Sequence, residues 1–233
     1  MFKSKKSPPV SLGWNIRQRG FGYDPVNDKY KVLLIMRSKN DLSQILTKIY
    51  TFGEDSWKTI QNFSIKFVMP YSWSWKYVRS TFNWIVEKIG VISNQTVILS
   101  FDLGTETYKE ILMPQEDGVK VNKHNLYVLN NCLGVCQMFN KTHWVVWLMK
   151  EYGVVDSWTK LMIIPIDNYK KKSYFVIPLF ISENGVILLM NPRTSQFVLY
   201  DLNSGRLDYS LEATDYLWLS PHICCESLVS VTW

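Results

Sequence analysis

One repeated pattern constrains the fold of this chain more than any other sequence feature. Trp57, Tyr108 and Trp158 each begin a short alternating stretch just after an acidic turn, and they lie about 50 residues apart. Leu207 stands one further step along the chain. A repeat of this length that is made of strands and turns is typical of the blades of a β-propeller.

Each repeated position follows a β-rich apolar run, which predicts that every repeat contains a hairpin. These runs all precede an acidic turn and span residues 49–52, 99–101, 146–149 and 198–200. The sequence Asp55-Ser56-Trp57 has a near copy in Asp156-Ser157-Trp158. Residues that recur in this way are expected to belong to the scaffold, because binding sites in repeat proteins are found in the loops that differ between repeats.

The clearest local prediction is a hairpin whose turn lies at residues 24–28. Proline after Asp24 fixes φ for the turn, and Asn27 and Asp28 tolerate the left-handed conformation. Two other stretches, residues 40–48 and 78–89, also fit the apolar face of a helix. We interpret both as strands, because a repeat of about 50 residues that already holds hairpins leaves no room for a long helix in each unit.

Composition agrees with a folded all-β protein. Aromatic residues make up 15% of the chain and hydrophobic residues 47%, which favours strands and a buried core. No linker or shift in composition divides the chain. The sequence therefore predicts an all-β fold, an incomplete propeller of about four blades, with one domain at residues 20–233 behind an irregular basic lead-in at residues 1–19.

The net charge of +6 does not by itself indicate a nucleic-acid partner, because the basic residues are scattered. The densest run, Lys170-Lys171-Lys172, is interpreted as a solvated turn. No apolar run approaches the length of about 18 residues that crosses a membrane, and the beginning of the sequence has no signal-peptide pattern. We therefore expect no nucleic acid and no membrane as partners, and a cytoplasmic or nuclear location.

The sequence has no motif for catalysis or for phosphate binding. The histidines are isolated, and the spacing of the cysteines is not that of a zinc site. These residues are His124, His143 and His222, together with Cys132, Cys136, Cys224 and Cys225. We expect free buried thiols, no metal, no cofactor and no enzymatic activity.

The best candidate for a binding surface is a stripe of alternating aromatic residues: Tyr71, Trp73, Trp75 and Tyr77. A stripe of this kind can belong to the core or to the face between two blades, or it can be a recognition surface. We predict it as the protein-binding site. Other candidates are the loops that do not repeat, at residues 62–77, 113–125 and 165–173.

Four motifs follow one another along the chain: GFGYDPVNDKYKV at residues 20–32, VILSFDLGTETYKEI at 97–111, VWLMKEYGVVDSWTKL at 146–161 and ESLVS at 226–230. Together they resemble the F-box-associated interaction domain of plant F-box proteins. The resemblance implies a kelch-like propeller that captures a target protein. It further implies that an F-box on the N-terminal side docks on the Skp adaptor of a cullin-containing SCF ubiquitin ligase.

The sequence departs from this family in three places. No segment upstream of Gly20 resembles an F-box, the family's first-blade strand is missing, and residues 78–84 lack the glycine of the matching turn, which predicts a distorted blade. We therefore expect capture of a target protein, with Skp and cullin as partners only if an F-box is supplied upstream. The alternatives are a carbohydrate-binding propeller or propeller enzyme, and a truncated product without independent function.

Overall fold

The computed structural model describes residues 13–41, 44–54, 56–60, 67–68, 75–89, 95–116, 121–166, 177–191 and 196–212. In these ranges the chain forms only β-strands, turns and loops, apart from one turn of 3₁₀ helix at Val155–Ser157. The predicted all-β fold class is confirmed.

The strands form four antiparallel sheets, each made by consecutive strands. Sheet 1 contains β1 (Trp14–Asp24), β2 (Lys29–Ser38), β3 (Ile45–Thr51) and β4 (Trp57–Ile60). Sheet 2 contains β5 (Phe67–Val68), β6 (Lys76–Val78), β7 (Thr81–Lys88), β8 (Gln95–Asp102) and β9 (Thr107–Leu112). Both β5 and β6 pair with β7, at opposite ends, so together they form the first edge of sheet 2.

The other two sheets are simple meanders of four strands. Sheet 3 contains β10 (Val121–Leu129), β11 (Cys132–Phe139), β12 (His143–Met149) and β13 (Trp158–Pro165). Sheet 4 contains β14 (Ile177–Ile181), β15 (Val186–Asn191), β16 (Gln196–Asp201) and β17 (Leu207–Glu212). One period of the sequence repeat is one sheet, since Trp57, Tyr108, Trp158 and Leu207 lie at the beginning of the last strand of each sheet.

The strand interpretation of the two ambiguous stretches is confirmed, because they contain β3 and β7. The beginning of the fold differs from the prediction. β1 begins at Trp14 instead of near Gly20, and its first residues pair with the end of β2, Trp14 opposite Ser38. A register shift between Ile16 and Gln18 interrupts the regular alternation there, which hides this part of the strand from a pattern search.

The chain divides into two compact units. The first comprises Met1–Gly118 and Met149–Trp158, and the second Val119–Leu148 and Thr159–Trp233. The segment Met149–Trp158 belongs to the first unit because the hydroxyl of Tyr152 lies 2.6–2.7 Å from side-chain oxygens of three buried polar residues of sheet 2. These residues are Thr81, Asn83 and Ser100.

Each unit has its own apolar core. In the first unit, aliphatic residues of sheet 1 pack with aromatic residues of sheet 2, including Leu33, Ile35, Ile49, Phe82, Trp84 and Phe101. In the second unit, the core contains Tyr127, Cys136, Trp144, Ile187 and Leu189. Cys132 and Cys136 are free thiols, and Cys136 is buried. Cys224 and Cys225 lie outside the described residues.

The turn that lacks the expected glycine closes a regular hairpin at the expense of backbone strain. Val78 pairs with Thr81 across this turn, and Lys76 pairs with Asn83. The two turn residues, Arg79 and Ser80, have φ values of 48° and 62°. Two-residue hairpin turns of this kind require positive φ at both positions, and residues with a Cβ adopt it at a cost of about 1–2 kcal/mol each.

We expect Ser80→Gly to stabilise the protein by about 1 kcal/mol, because glycine adopts positive φ without the steric cost of a Cβ. The measurement is the free energy of unfolding in urea. Asn131→Gly is the matched control: Asn130 and Asn131 form an equivalent turn with φ values of 47° and 57°, and asparagine already tolerates this conformation. A larger gain from Asn131→Gly than from Ser80→Gly would contradict the assignment of strain to residues 79–80.

Candidate protein-interaction face

The hairpin of β1 and β2 separates small residues from aromatic residues on its two sides. Along β1, Gly20, Gly22 and Asp24 are buried, whereas Phe21 and Tyr23 point to the opposite, exposed side. Phe21 is 58% exposed. The alternation of a strand thus places the aromatic side chains of the G-F-G-Y-D motif on the outside of sheet 1.

Aromatic residues from all four strands of sheet 1 and its last turn form one continuous surface, which we call the aromatic face. Its members are Phe21, Tyr23, Tyr30, Tyr50, Phe52 and Trp57. The ring centroids of Phe21 and Tyr30 are 5.5 Å apart with nearly parallel planes, and those of Phe21 and Phe52 are 6.0 Å apart. Tyr50 continues the series to Phe52 at 5.7 Å and to Trp57 at 5.4 Å.

Exposure of this face is unusual for the part of the chain that the structure describes. There, four of the five exposed aromatic side chains belong to the aromatic face, and the fifth is Phe180 of β14. Single exposed apolar residues are normal, but contiguous apolar patches mark interaction surfaces. Tyrosine, phenylalanine and tryptophan are also the residues enriched at the centres of protein interfaces.

A buried lysine fixes the hairpin that carries the face. The ammonium group of Lys31 lies 2.8 Å from a carboxylate oxygen of Asp24 and 2.9 Å from one of Glu106, and it donates a hydrogen bond of 2.6 Å to the carbonyl of Leu103. Asp24 is completely buried, and it also accepts hydrogen bonds from Asn27. Because Glu106 and Leu103 belong to the turn after β8, this network joins the hairpin to sheet 2.

The charges of this network are held in their ionised states. Burial alone raises the pKa of a carboxyl group, but hydrogen bonds from Lys31 and Asn27 outweigh it and lower the pKa of Asp24 to about 2. The pKa of Glu106 is lowered as well, because bonds from Lys58 and Lys31 outweigh burial. For Lys31, burial is the largest influence and acts downward, yet its two carboxylate partners raise its pKa overall.

Side chains of sheet 2 also contact β1, the strand of sheet 1 that carries Phe21 and Tyr23. The hydroxyl of Tyr77 donates a hydrogen bond of 2.8 Å to the carbonyl of Tyr23 and accepts one of 3.2 Å from its amide. A Cβ on Gly20 would lie 2.6 Å from the ring of Phe82, so glycine is required for the close approach of the two sheets. The hydroxyl of Tyr23 itself donates to Asp28, which raises the pKa of Tyr23.

The predicted aromatic stripe is only partly within the described residues. Tyr71 and Trp73 lie outside them, as do most residues of the non-repeating loops. Trp75 and Tyr77 are partly buried and pack against the core of the first unit, with ring centroids 4.9 and 5.2 Å from that of Phe82. The binding role of the four residues therefore stays a prediction.

Sequence reasoning missed the aromatic face, although its signal was present. Phe21, Tyr23 and Tyr30 alternate with small or polar residues on the two strands of the predicted hairpin. The alternation indicates which residues share a side, but both sides of a sheet in a repeat protein can be buried. Only the packing in three dimensions distinguishes the covered side from the open one.

The described residues contain no group of three or more histidine, cysteine or acidic side chains that could hold a metal ion. Burial lowers the pKa of His124 to about 4. No helix in the described ranges is long and apolar enough to span a membrane.

Comparison with known proteins identifies the family. The model of the F-box associated beta propeller domain matches residues 3–208, which is most of the chain. The chain belongs to this family. The expected kelch-like fold class, an incomplete β-propeller with about four blades, is confirmed, since the described residues form four antiparallel sheets in chain order.

The relatives of this F-box associated domain are plant F-box proteins. An F-box/kelch-repeat protein of Arabidopsis thaliana is 34% identical over 191 residues, which cover 82% of this chain and 50% of the relative. The F-box protein CPR1 of the same plant is 26% identical over 206 residues, covering 81% of this chain and 50% of the relative. The chain thus spans about half the length of the relatives that it matches.

Similarity to solved structures is weak. The alignment with a prolyl endopeptidase has a TM-score of 0.43 and 9% sequence identity. It covers 82% of this chain and 26% of the endopeptidase chain. An exo-β-1,3-galactanase from Phanerochaete chrysosporium has the same TM-score at 6% identity, with 85% of this chain and 54% of that chain aligned. Similarities at this level say nothing about activity.

We expect Lys31→Met to destabilise the protein by about 3–5 kcal/mol, because it leaves the buried charge of Asp24 without its cation. Lys58→Met is the matched control. Lys58 also binds Glu106, but its side chain is 66% exposed, so its loss should cost no more than about 1 kcal/mol. The measurement is the free energy of unfolding in urea at neutral pH; equal effects of the two substitutions would contradict the role of Lys31.

The pH dependence of the free energy of unfolding is a second measure of the Lys31–Asp24 ion pair. The pKa of Asp24 is about 2 in the folded protein and 3.8 ordinarily, so its stabilisation is present above pH 3.8 and is lost as the pH falls towards 2. In Lys31→Met the folded pKa of Asp24 should rise, and the decrease in stability over this pH range should become smaller.

Removal of an exposed ring should have little effect on folding. We expect Phe21→Ala to cost about 1 kcal/mol, from lost ring contacts, and Phe82→Ala, at a residue only 1% exposed, to cost about 3–5 kcal/mol. Thermal and urea unfolding of the two variants measure the difference. A cost for Phe21→Ala as large as that for Phe82→Ala would mean that the aromatic face is covered in the folded chain.

Proposed function

We propose that this chain is the protein-binding part of a substrate receptor of an SCF ubiquitin ligase. In this role it captures a target protein for ubiquitination and performs no chemistry itself. The observation that carries the proposal is the match of the F-box associated domain family to residues 3–208, with relatives that are F-box proteins. The Skp adaptor and the cullin are partners of the complete receptor, through an F-box.

The structure supports a binding role in two ways. The aromatic face offers a rigid apolar surface on a strand scaffold, and aromatic side chains with few rotatable bonds lose little entropy when they bind. The hairpin beneath the face is held by the buried Lys31 network and by Tyr77, so the surface is organised before a partner arrives. We propose a cytoplasmic or nuclear location, in agreement with the sequence.

A chimaera tests this function. In it, this chain replaces the matching region of the Arabidopsis F-box/kelch-repeat relative, so that the remainder of that protein is supplied in the same polypeptide. We expect the chimaera to bind a purified Skp adaptor and the chain alone not to bind it. In plant cells, proteins that both versions capture should have shorter lifetimes with the chimaera, and a proteasome inhibitor should restore them.

The chain alone provides the matched control, because it captures targets without delivering them to the ligase. Its overexpression should lengthen the lifetimes of the same proteins. Tight binding of the adaptor by the chain alone would contradict the proposal. Captured proteins whose lifetimes are the same with the chain and with the chimaera would contradict it as well.

A further inference from the structure

An apolar cleft lies between sheet 1 and sheet 2, on the side of sheet 1 that is opposite the aromatic face. Its walls are aliphatic on one side and aromatic on the other. They include Gly20, Leu33 and Ile35 of sheet 1, Phe82 and Trp84 of sheet 2, and Trp75 just before β6. The cleft has a volume of about 200 Å³, part of which is open to solvent.

The size of the cleft indicates what can occupy it. Pockets for small-molecule ligands usually have volumes of roughly 300–1,000 Å³. The cleft is smaller than this, and it is open on part of its surface. Its dimensions suit one apolar side chain of a protein partner, inserted from outside as the anchor of an interface.

The two chain segments that border the cleft carry only positive charge. Residues 1–23 and residues 57–86 together contain nine lysines and arginines and no acidic residue, although the net charge of the whole chain is only +6. Among their described residues, Arg19 lines the cleft, Arg17 lies two positions before it, and Lys76 follows Trp75. The fold therefore brings two segments without acidic residues together around one apolar cleft.

The cations beside the cleft have no counterions. Within the part of the chain that the structure describes, Arg17, Arg19 and Lys76 form no ion pair. Lys76 is partly buried, and burial lowers its pKa. Lys31 and Lys88 are also at least partly buried, but their ammonium groups lie 2.8 and 3.0 Å from carboxylates. A partly buried cation without a counterion is costly, and a carboxylate from a partner would compensate for this cost.

We propose that the cleft binds an acidic segment of the target protein, which inserts one apolar side chain between the two sheets and places its carboxylates against Arg19 and Lys76. Both cations belong to strands at the first edges of their sheets, so their long side chains can reach a segment that lies over the opening of the cleft. This inference rests on the proposed function, because it names the chemistry of the target that the chain captures.

The combination of an apolar cleft and a few cations favours an acidic peptide over a nucleic acid. Proteins bind nucleic acids through many lysines and arginines that contact successive phosphates. Here the described cations are few, and they surround a pocket whose walls are largely aliphatic and aromatic side chains. An apolar centre with a charged rim is the usual arrangement of a protein interface.

Selection from a library of random peptides displayed on phage tests the chemistry of the partner. With the purified chain as bait, the selected peptides should carry a net negative charge and one apolar residue between acidic ones. A selected peptide labelled with fluorescein should bind in an anisotropy titration, more weakly as the salt concentration rises. Replacing its acidic residues by their amides, or its apolar residue by serine, should each weaken binding at least about tenfold.

Substitutions in the chain test the position of the site. Arg19→Glu and Trp75→Ala should each weaken binding of the selected peptide at least about tenfold. Arg206→Glu is the matched control, because Arg206 is an exposed cation of the second unit, and it should leave binding unchanged. Phe21→Ala should leave binding unchanged as well, which distinguishes the cleft from the aromatic face.

Lys76→Met separates an effect on binding from an effect on folding. Removal of a partly buried ammonium group without a counterion should raise the midpoint of thermal unfolding of the free chain, whereas the selected peptide should bind several times more weakly. Binding that neither Arg19→Glu nor Lys76→Met weakens would overturn the proposal.

Three outcomes of the selection would overturn it as well. They are the enrichment of no peptide, the enrichment of neutral or basic peptides, and binding of a single-stranded oligonucleotide as tight as that of the selected peptide. Adaptor binding by the chimaera does not depend on any of these outcomes, so the two proposals can fail separately.

Discussion

The arrangement of the first unit depends on a single buried cation. Lys31 joins the carboxylate of Asp24, at the end of β1, to the carbonyl of Leu103 and the carboxylate of Glu106 in sheet 2. A buried ammonium group is costly unless its donors are all used and its charge is balanced, and here both conditions are met. The sheets must therefore meet in one register, with Gly20 and Gly22 facing the rings of sheet 2.

That register has a consequence on the opposite side of sheet 1. Successive side chains of a strand point to opposite faces of the sheet. Because Gly20 and Gly22 face sheet 2, Phe21 and Tyr23 lie on the outside of sheet 1. The aromatic face is thus a result of the same constraint that packs the core, and it requires no special local structure.

Local chemistry made much of the fold predictable. The Asp24-Pro25 turn, the strands around it and the 50-residue period all follow from residues close together in sequence. The beginning of β1 at Trp14 did not, because the register shift near Ile16 disrupts the alternation. The aromatic stripe was a plausible site for its residue types, but Trp75 and Tyr77 pack beside Phe82 because sheet 1 lies over them.

The sequence by itself determined the β-class of the chain, the repeat and the family, because these depend on residue types at fixed spacings. Tertiary structure decided which side chains of each strand are covered and which are open. It also showed that Lys31, Asp24 and Glu106 form one network, although Lys31 and Glu106 lie 75 positions apart. Exposure and long-range ion pairing depend on what packs against a side chain, and the alternation of a strand is the same on a covered side and on an open one.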